Sequence, residues 1–270
     1  MEFESPHVSP PPPRRRPRRG RLILLVCTLA ALGAVTVGVV LFLVWTKDGP
    51  GRATSLTIPE GWRSSQVYAA VDKAVGAAPG TAKKAAASTD LGLPAAAQGN
   101  PEGYLFPATY PVKDGTTASS LLTYMVKTAG ERLGAGPEVR RDVVIASIVQ
   151  AEADTADDMG KVARVIQNRL ARDMPLQMDS TLNYAMNRST LDTTHEDTRI
   201  DSPYNTYERK GLPPTPIGNP GLEAVRATRT PPPGNWLYFV TVKPGDTRFT
   251  DDYEVQKRNV AEFNKNRRGR

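Results

Sequence analysis

A glutamate, Glu152, ends the apolar run IASIVQAE at 145–152, where the helical turns behind it would hold its backbone rigid. Apolar surroundings raise the pKa of a carboxyl group, so it keeps a proton near neutral pH for a leaving oxygen. Spacing alone favours a blander alternative, a solvated glutamate at a helix end. Asp154, Asp157 and Asp158 follow closely, and Asp157 or Asp158 is the expected N-cap of the next helix.

Other chemistries are hard to assemble from this composition. The 270 residues include one cysteine, Cys27, and two histidines, His7 and His195. That excludes a disulfide, and it excludes a multi-histidine zinc site. A carboxylate-only metal site stays open, although no metal and no cofactor is expected. A Ser-His-Asp arrangement would have to run through His195. That residue sits in the polar acidic stretch 192–197 and reads as solvated. Carboxylate chemistry is what remains.

The elements that must position Glu152 can be read from apolar periodicity. Residues 119–133 form a helix with Leu122, Met125 and Val126 inward, and 138–152 a second with Val144, Ile145, Ile148 and Val149 on or near one face. A third covers 158–172, with Val162, Val165, Ile166 and Leu170 spaced for burial. The prolines at 213, 214, 216 and 220 mark a rigid irregular loop. The run NWLYFVTV at 235–242 is the best strand, and a polar helix over 253–266 follows it. Upstream, 56–75 reads as a strand, a Pro-Glu-Gly turn and a helix opened by Ser64 or Ser65, with a further short helix at 81–87. The fold class is α+β, with more helix than sheet.

The N-terminal region sets the expected location. Leu22 to Trp45 carries no charge over 24 residues. At about 1.5 Å rise per residue that run crosses a hydrocarbon core of about 30 Å. Arg14, Arg15, Arg16, Arg18, Arg19 and Arg21 precede it, whereas only Lys47 and Arg52 lie close behind. The positive-inside rule then leaves the N-terminus in the cytoplasm and puts the rest outside. The segment is longer than the core of a cleaved signal peptide, so it reads as an uncleaved anchor in the cell membrane. The expected organisation is a disordered basic tail at 1–21, a transmembrane helix at 22–45, a linker at 46–53, a small module at 54–99 and a mixed α/β domain at 100–270. Of the net charge of +7, the tail holds +4. The mildly basic remainder suits an anionic polymer and does not signal nucleic acid.

Ordered blocks narrow the function. The stretch ASIVQAE…KVARVIQNRLARDMPLQMDSTLNY (146–184), then SPYNTYERKGLPPTPIGNPG (202–221) and LYFV (237–240), resembles the endolytic murein transglycosylase family, the YceG-like proteins. EGYLFPATYPV (102–112) is similar to the entry of that family's catalytic domain, and TIPEGWRSSQV (57–67) to its membrane-proximal LysM-like module. The resemblance implies internal cleavage of peptidoglycan glycan strands between N-acetylmuramic acid and N-acetylglucosamine, leaving 1,6-anhydro-muramic ends. It assigns the essential acid to Glu152, the second acid of a Glu-x-Glu pair whose first position is Gln150 here. Gln177 and Asp179 match the family directly; Tyr204, Asn205 and Thr206, whose amide, hydroxyl and aromatic groups usually line a sugar cleft, and Gln150, which can hydrogen-bond sugar, join them as candidates for sugar contact, with Tyr207 read as packing. The family's Asp-Pro-Thr is Asp179-Ser180-Thr181 here, and two later family histidines correspond to Thr247 and Gln256. Implied partners are peptidoglycan glycan strands and the cell-wall synthases (penicillin-binding proteins). Two rivals stand beside this reading: a catalytically silent cell-wall-binding scaffold, and a muramidase that uses two carboxylates on the same fold.

Overall fold

The computed structural model describes residues 54–134, 136–188 and 193–268. The tail, the proposed span and the linker lie outside the described residues. Among those described, no helix is long and apolar enough to cross a membrane. The described residues form one compact unit.

The chain order is β1 (Thr54–Thr57), α1 (Ser64–Ala74), α2 (Thr81–Ser88), β2 (Thr109–Val112), α3 (Ala118–Leu133), α4 (Val139–Glu152), α5 (Ala156–Ala171), α6 (Asp179–Ala185), α7 (Leu222–Arg229), β3 (Tyr238–Lys243), β4 (Asp246–Thr250) and α8 (Tyr253–Arg268). The fold is therefore mixed α and β, with helix dominant. Each sheet is a single antiparallel pair. β1 aligns Thr54 with Val112 and Thr57 with Thr109, while β3 and β4 form a hairpin with a bulge between Thr241 and Lys243.

α4 is the central element. Val143, Val144, Ile145, Ala146, Ile148 and Val149 are all buried, so the helix is apolar on nearly every side and must be enclosed. α5 and α7 pack against it and supply Val162, Ala163, Ile166, Ala224 and Val225 to the same core. α5 opens on Thr155, whose hydroxyl accepts from the Asp158 N–H at 3.2 Å. The cap is thus two or three residues earlier than Asp157 or Asp158, which instead place negative charge in the first helical turn.

A second core joins Ile58, Val67 and Val71 to Leu105, Tyr110, Leu121, Leu122 and Met125. It draws on both sides of position 100. Asn219 staples the two cores together: fully buried, it accepts from Leu105 N–H at 2.8 Å and donates to Trp62 O at 2.8 Å. Beside it, buried Glu102 accepts from Ser64 N–H at 2.9 Å and from the Tyr184 hydroxyl at 3.1 Å. Burial pushes its carboxyl pKa up, opposed by those hydrogen bonds and by Arg63.

The turn through Gly103 has no room for a side chain. Its φ is +86°, and a Cβ would stand 2.5 Å from Pro216 Cγ and 2.8 Å from Val143 Cγ1. Gly103→Ala should therefore cost about 3 kcal/mol, combining left-handed strain with overpacking, and lower Tm by about 6–12 °C. Thermal unfolding followed by circular dichroism checks this; a shift below about 2 °C would mean that the turn relaxes freely.

Candidate functional site

Glu152 is the last residue of α4, half-buried on the wall of a cleft of about 610 Å³. Its position follows from the helix: the apolar face behind it is locked in the core, so the final turn cannot fray far. The opposite edge of the last turn is used otherwise. Gln150 does not line the cleft; its side-chain oxygen accepts from Gly221 N–H at 2.9 Å and holds the loop before α7.

Desolvation is the largest influence on Glu152 and raises its pKa, and the nearby charge of Asp179 acts in the same direction. Ser180 opposes both, its backbone N–H lying 3.4 Å from Glu152 Oε1. The carboxyl group therefore holds its proton above the ordinary glutamate value, which is what a general acid requires. Any rate that needs this proton should fall as pH rises through the elevated pKa. A profile of kcat/KM against pH checks that; an alkaline limb at the ordinary glutamate value of 4.5 would contradict it.

Asp179 opens α6 and shares the cleft wall. Its Oδ1 accepts a 2.5 Å hydrogen bond from the Tyr207 hydroxyl. That contact, with desolvation as the larger cause, drives the Tyr207 pKa far up, so the phenol stays protonated and keeps donating. Tyr207 therefore belongs to the cleft, not only to loop packing. Replacing it with Phe frees the Asp179 carboxylate and should lower kcat/KM about tenfold, the usual scale of one charge-assisted hydrogen bond. Steady-state kinetics would read this, and unchanged values would leave Asp179 without a positioning partner.

Gln177 also lines the cleft. It adopts a left-handed φ of +54°, rare outside glycine, which turns its side chain so that Oε1 accepts from Arg169 Nη1 at 3.0 Å. Arg169 is only 6% exposed. It donates to Leu237 O at 2.6 Å, Pro175 O at 2.8 Å and Leu176 O at 3.1 Å, and its guanidinium lies 5.2 Å from the Tyr238 ring centre. These bonds join α5 to the cleft floor and to β3. Arg164 and Asn168 extend the same function by donating to the carbonyls of Pro231, Pro232, Gly234 and Trp236.

The other sequence candidates serve the loop. Asn205 is fully buried, donating to Thr198 O and Ile200 O and accepting from Tyr207 N–H. Thr206, 1% exposed, accepts from Met178 N–H and pairs with Thr181, while its carbonyl accepts from Gln177 N–H. Tyr204 packs at a tilt against Tyr184, with ring centres 5.0 Å apart, and bonds Thr215. None of the three lines the cleft; they shape the segment that presents Gln177, Asp179 and Tyr207. His195 is exposed and paired with Arg199. Among the described residues, no three His, Cys, Asp or Glu side chains are grouped to hold a metal ion.

The far wall comes from residues that the sequence reading did not assign to a site. Phe239, Val240 and Thr241 of β3 and Gln256, Val260, Phe263 and Asn264 of α8 face Glu152 across the cleft. The Thr247 hydroxyl pairs with that of Thr241 at 3.0 Å, so the two share one face of the hairpin.

Comparison with known proteins gives a consistent picture. The model of the YceG-like family matches residues 41–262. An endolytic murein transglycosylase from Streptococcus pneumoniae is 38% identical over 175 residues, covering 60% of this chain and 32% of that protein. One from Bacillus subtilis is 37% identical over 158 residues, covering 55% of this chain and 44% of the relative. The chain thus spans less than half the length of these curated relatives. A solved structure of a YceG-like protein from Listeria monocytogenes superposes with a TM-score of 0.66 at 27% identity, covering 76% of this chain and 75% of that one.

Proposed function

The chain belongs to the YceG-like family, and from that premise we propose that it is an endolytic lytic transglycosylase of peptidoglycan. The observation that carries this reading is a carboxyl group in a cleft, Glu152, with its proton affinity raised by desolvation. In the proposed reaction Glu152 donates its proton to the glycosidic oxygen between N-acetylmuramic acid and N-acetylglucosamine, and the bond from that oxygen to C1 breaks. The resulting carboxylate then takes the proton of the muramoyl 6-hydroxyl as O6 bonds to C1, closing the 1,6-anhydro ring. One carboxyl group serves both steps and is regenerated. The Ser180 N–H is placed to stabilise the carboxylate between them.

A muramidase would instead use a second carboxylate, about 5–5.5 Å or about 6.5–9.5 Å away according to stereochemistry. Asp179 is the neighbouring acid, but its Oδ1 is held by Tyr207. That engagement favours a supporting role for Asp179. The endolytic character is tested with long uncrosslinked glycan strands: fragments of intermediate length should appear first. Disaccharides released from the start would refute internal cleavage.

We further propose a single-pass arrangement, with residues 22–45 in the cell membrane, the N-terminus cytoplasmic and residues 54–270 outside. The absence of charge in 22–45 and the arginines before it support this. The segment 54–99 is proposed as a LysM-like membrane-proximal module, and cell-wall synthases as neighbours in the membrane. Protease added outside intact spheroplasts should degrade the C-terminal region and spare a tag at residue 1; the reverse pattern would refute the topology.

A further inference from the structure

In the run Asp179-Ser180-Thr181, the outer two side chains are committed within the protein and the middle one is not. Asp179 Oδ1 accepts from the Tyr207 hydroxyl, while the Thr181 hydroxyl donates to Met178 O at 2.7 Å and pairs with Thr206 at 2.9 Å. The Ser180 hydroxyl is buried and makes no hydrogen bond. Polar groups left in that condition are rare, because each costs the desolvation of the group. Yet this one stands beside the acid. Ser180 lines the same cleft as Glu152, and its own N–H lies 3.4 Å from Glu152 Oε1. Its side chain opposes the rise in the acid's pKa more strongly than that N–H does. The hydroxyl is therefore close to the carboxyl group but out of line with it. Nothing bonds it elsewhere, so it is free to rotate into line.

We propose that Ser180 is a positioning residue of the reaction, whose hydroxyl turns to donate to Glu152 once the acid has given up its proton and lets go when the proton returns. A hydroxyl is held more tightly by a carboxylate than by a neutral carboxyl group. The contact thus strengthens as charge appears on Glu152, and an interaction gained during reaction lowers the barrier where one present throughout does not. The titratable groups that face the acid across the cleft do not replace it. Asp179 of α6 adds like charge, the Tyr207 hydroxyl is spent on Asp179, and Arg169 of α5 is spent on carbonyls and Gln177. The cleft residues of β3 and α8 carry no charge. Proline, the middle residue of the family's Asp-Pro-Thr, offers neither N–H nor hydroxyl. The contact therefore belongs to this chain's own sequence. The proposal rests on Glu152 as the proton carrier and adds the group that steadies it between its two transfers.

The test follows the carboxyl group first and the rate second. In the full-length protein labelled with carbon-13 at the glutamate side-chain carboxyls, the Glu152 signal is the one that Glu152→Gln removes, and NMR follows its titration. Ser180→Ala keeps the N–H and loses the hydroxyl. It should raise the Glu152 pKa by about one pH unit, or roughly tenfold in proton affinity. Ser180→Thr retains a hydroxyl and should titrate within about 0.3 pH unit of the parent. The alkaline limb of kcat/KM against pH should follow the titration in both variants, which a merely structural role would not produce. A Glu152 pKa within about 0.3 pH unit of the parent in Ser180→Ala, or equal displacement in Ser180→Ala and Ser180→Thr, overturns the proposal. So does a limb that stays in place while the titration moves. Titrations displaced as expected in a protein that cleaves no strands would support the Ser180 contact and overturn the glycan reading.

Discussion

Glu152→Gln is expected to lower the rate of strand cleavage about a thousandfold, within the usual contribution of a general acid–base. The same substitution should raise Tm at pH 7. Burial disfavours the charged form, so the folded-state pKa lies above the ordinary 4.5. A group shifted that way contributes stability that is fully present below the unfolded pKa and lost as pH rises through the folded one. Above the unfolded-state pKa the wild-type protein must either protonate this carboxyl on folding or desolvate its charge, and the neutral amide bears neither cost. Below pH 4.5 both side chains are uncharged and the difference in Tm should vanish. Loss of activity together with a gain in stability cannot be attributed to unfolding. Cleavage kinetics and differential scanning calorimetry across pH 4–8 measure both; retained activity, or a Tm decrease at neutral pH, would contradict the assignment.

Arg169→Ala should be the most damaging change to the fold among the residues that line the cleft. It removes donors to the Leu237, Pro175 and Leu176 carbonyls and to the Gln177 side chain, leaving those acceptors inside the protein without partners. Hydrogen bonds to charged groups are worth about 1.5–3 kcal/mol each and are not additive, so a total near 4 kcal/mol is expected, or about 8–16 °C in Tm. Arg169→Lys should recover only part, because an ammonium cannot reproduce the planar fork that reaches three carbonyls at once. A loss below about 1 kcal/mol in urea unfolding of Arg169→Ala would show that the contacts are dispensable.

The contrast between Glu152 and Arg169 explains what the sequence made legible. α3, α4, α5 and α8 were readable because their apolar or polar periodicity persists for three turns or more. α6, at seven residues, is too short for such a pattern, and α7 begins behind a proline-rich block. β4 has no apolar alternation of its own and is recruited by β3 through the Pro244-Gly245 turn. Arg169 falls three residues after Ile166, four after Val165 and seven after Val162, so its spacing puts it on the buried face of α5 although its charge suggests solvent. The Pro175, Leu176 and Leu237 carbonyls that satisfy it there are supplied by the tertiary fold.

The loop at 204–207 shows the same ambiguity from the other side. Tyrosine, asparagine and threonine line sugar clefts, but those types also satisfy backbone groups in tight turns. Asn205 and Thr206 spend their side chains on the loop, and Tyr207 is the one that reaches the cleft acid. The far wall was hidden for a different reason. Gln256, Val260 and Phe263 are about a hundred residues from Glu152 in the chain, and nothing local in a polar helix marks the face that will meet it.

Cleavage of purified glycan strands in water enriched in heavy oxygen tests the central chemistry most directly, with products read by mass spectrometry. Intramolecular closure by the muramoyl 6-hydroxyl predicts anhydro ends that carry no solvent oxygen. Reducing muramic ends labelled with the heavy isotope would show that water is the nucleophile, and would contradict the proposal of a single carboxyl group passing one proton back and forth.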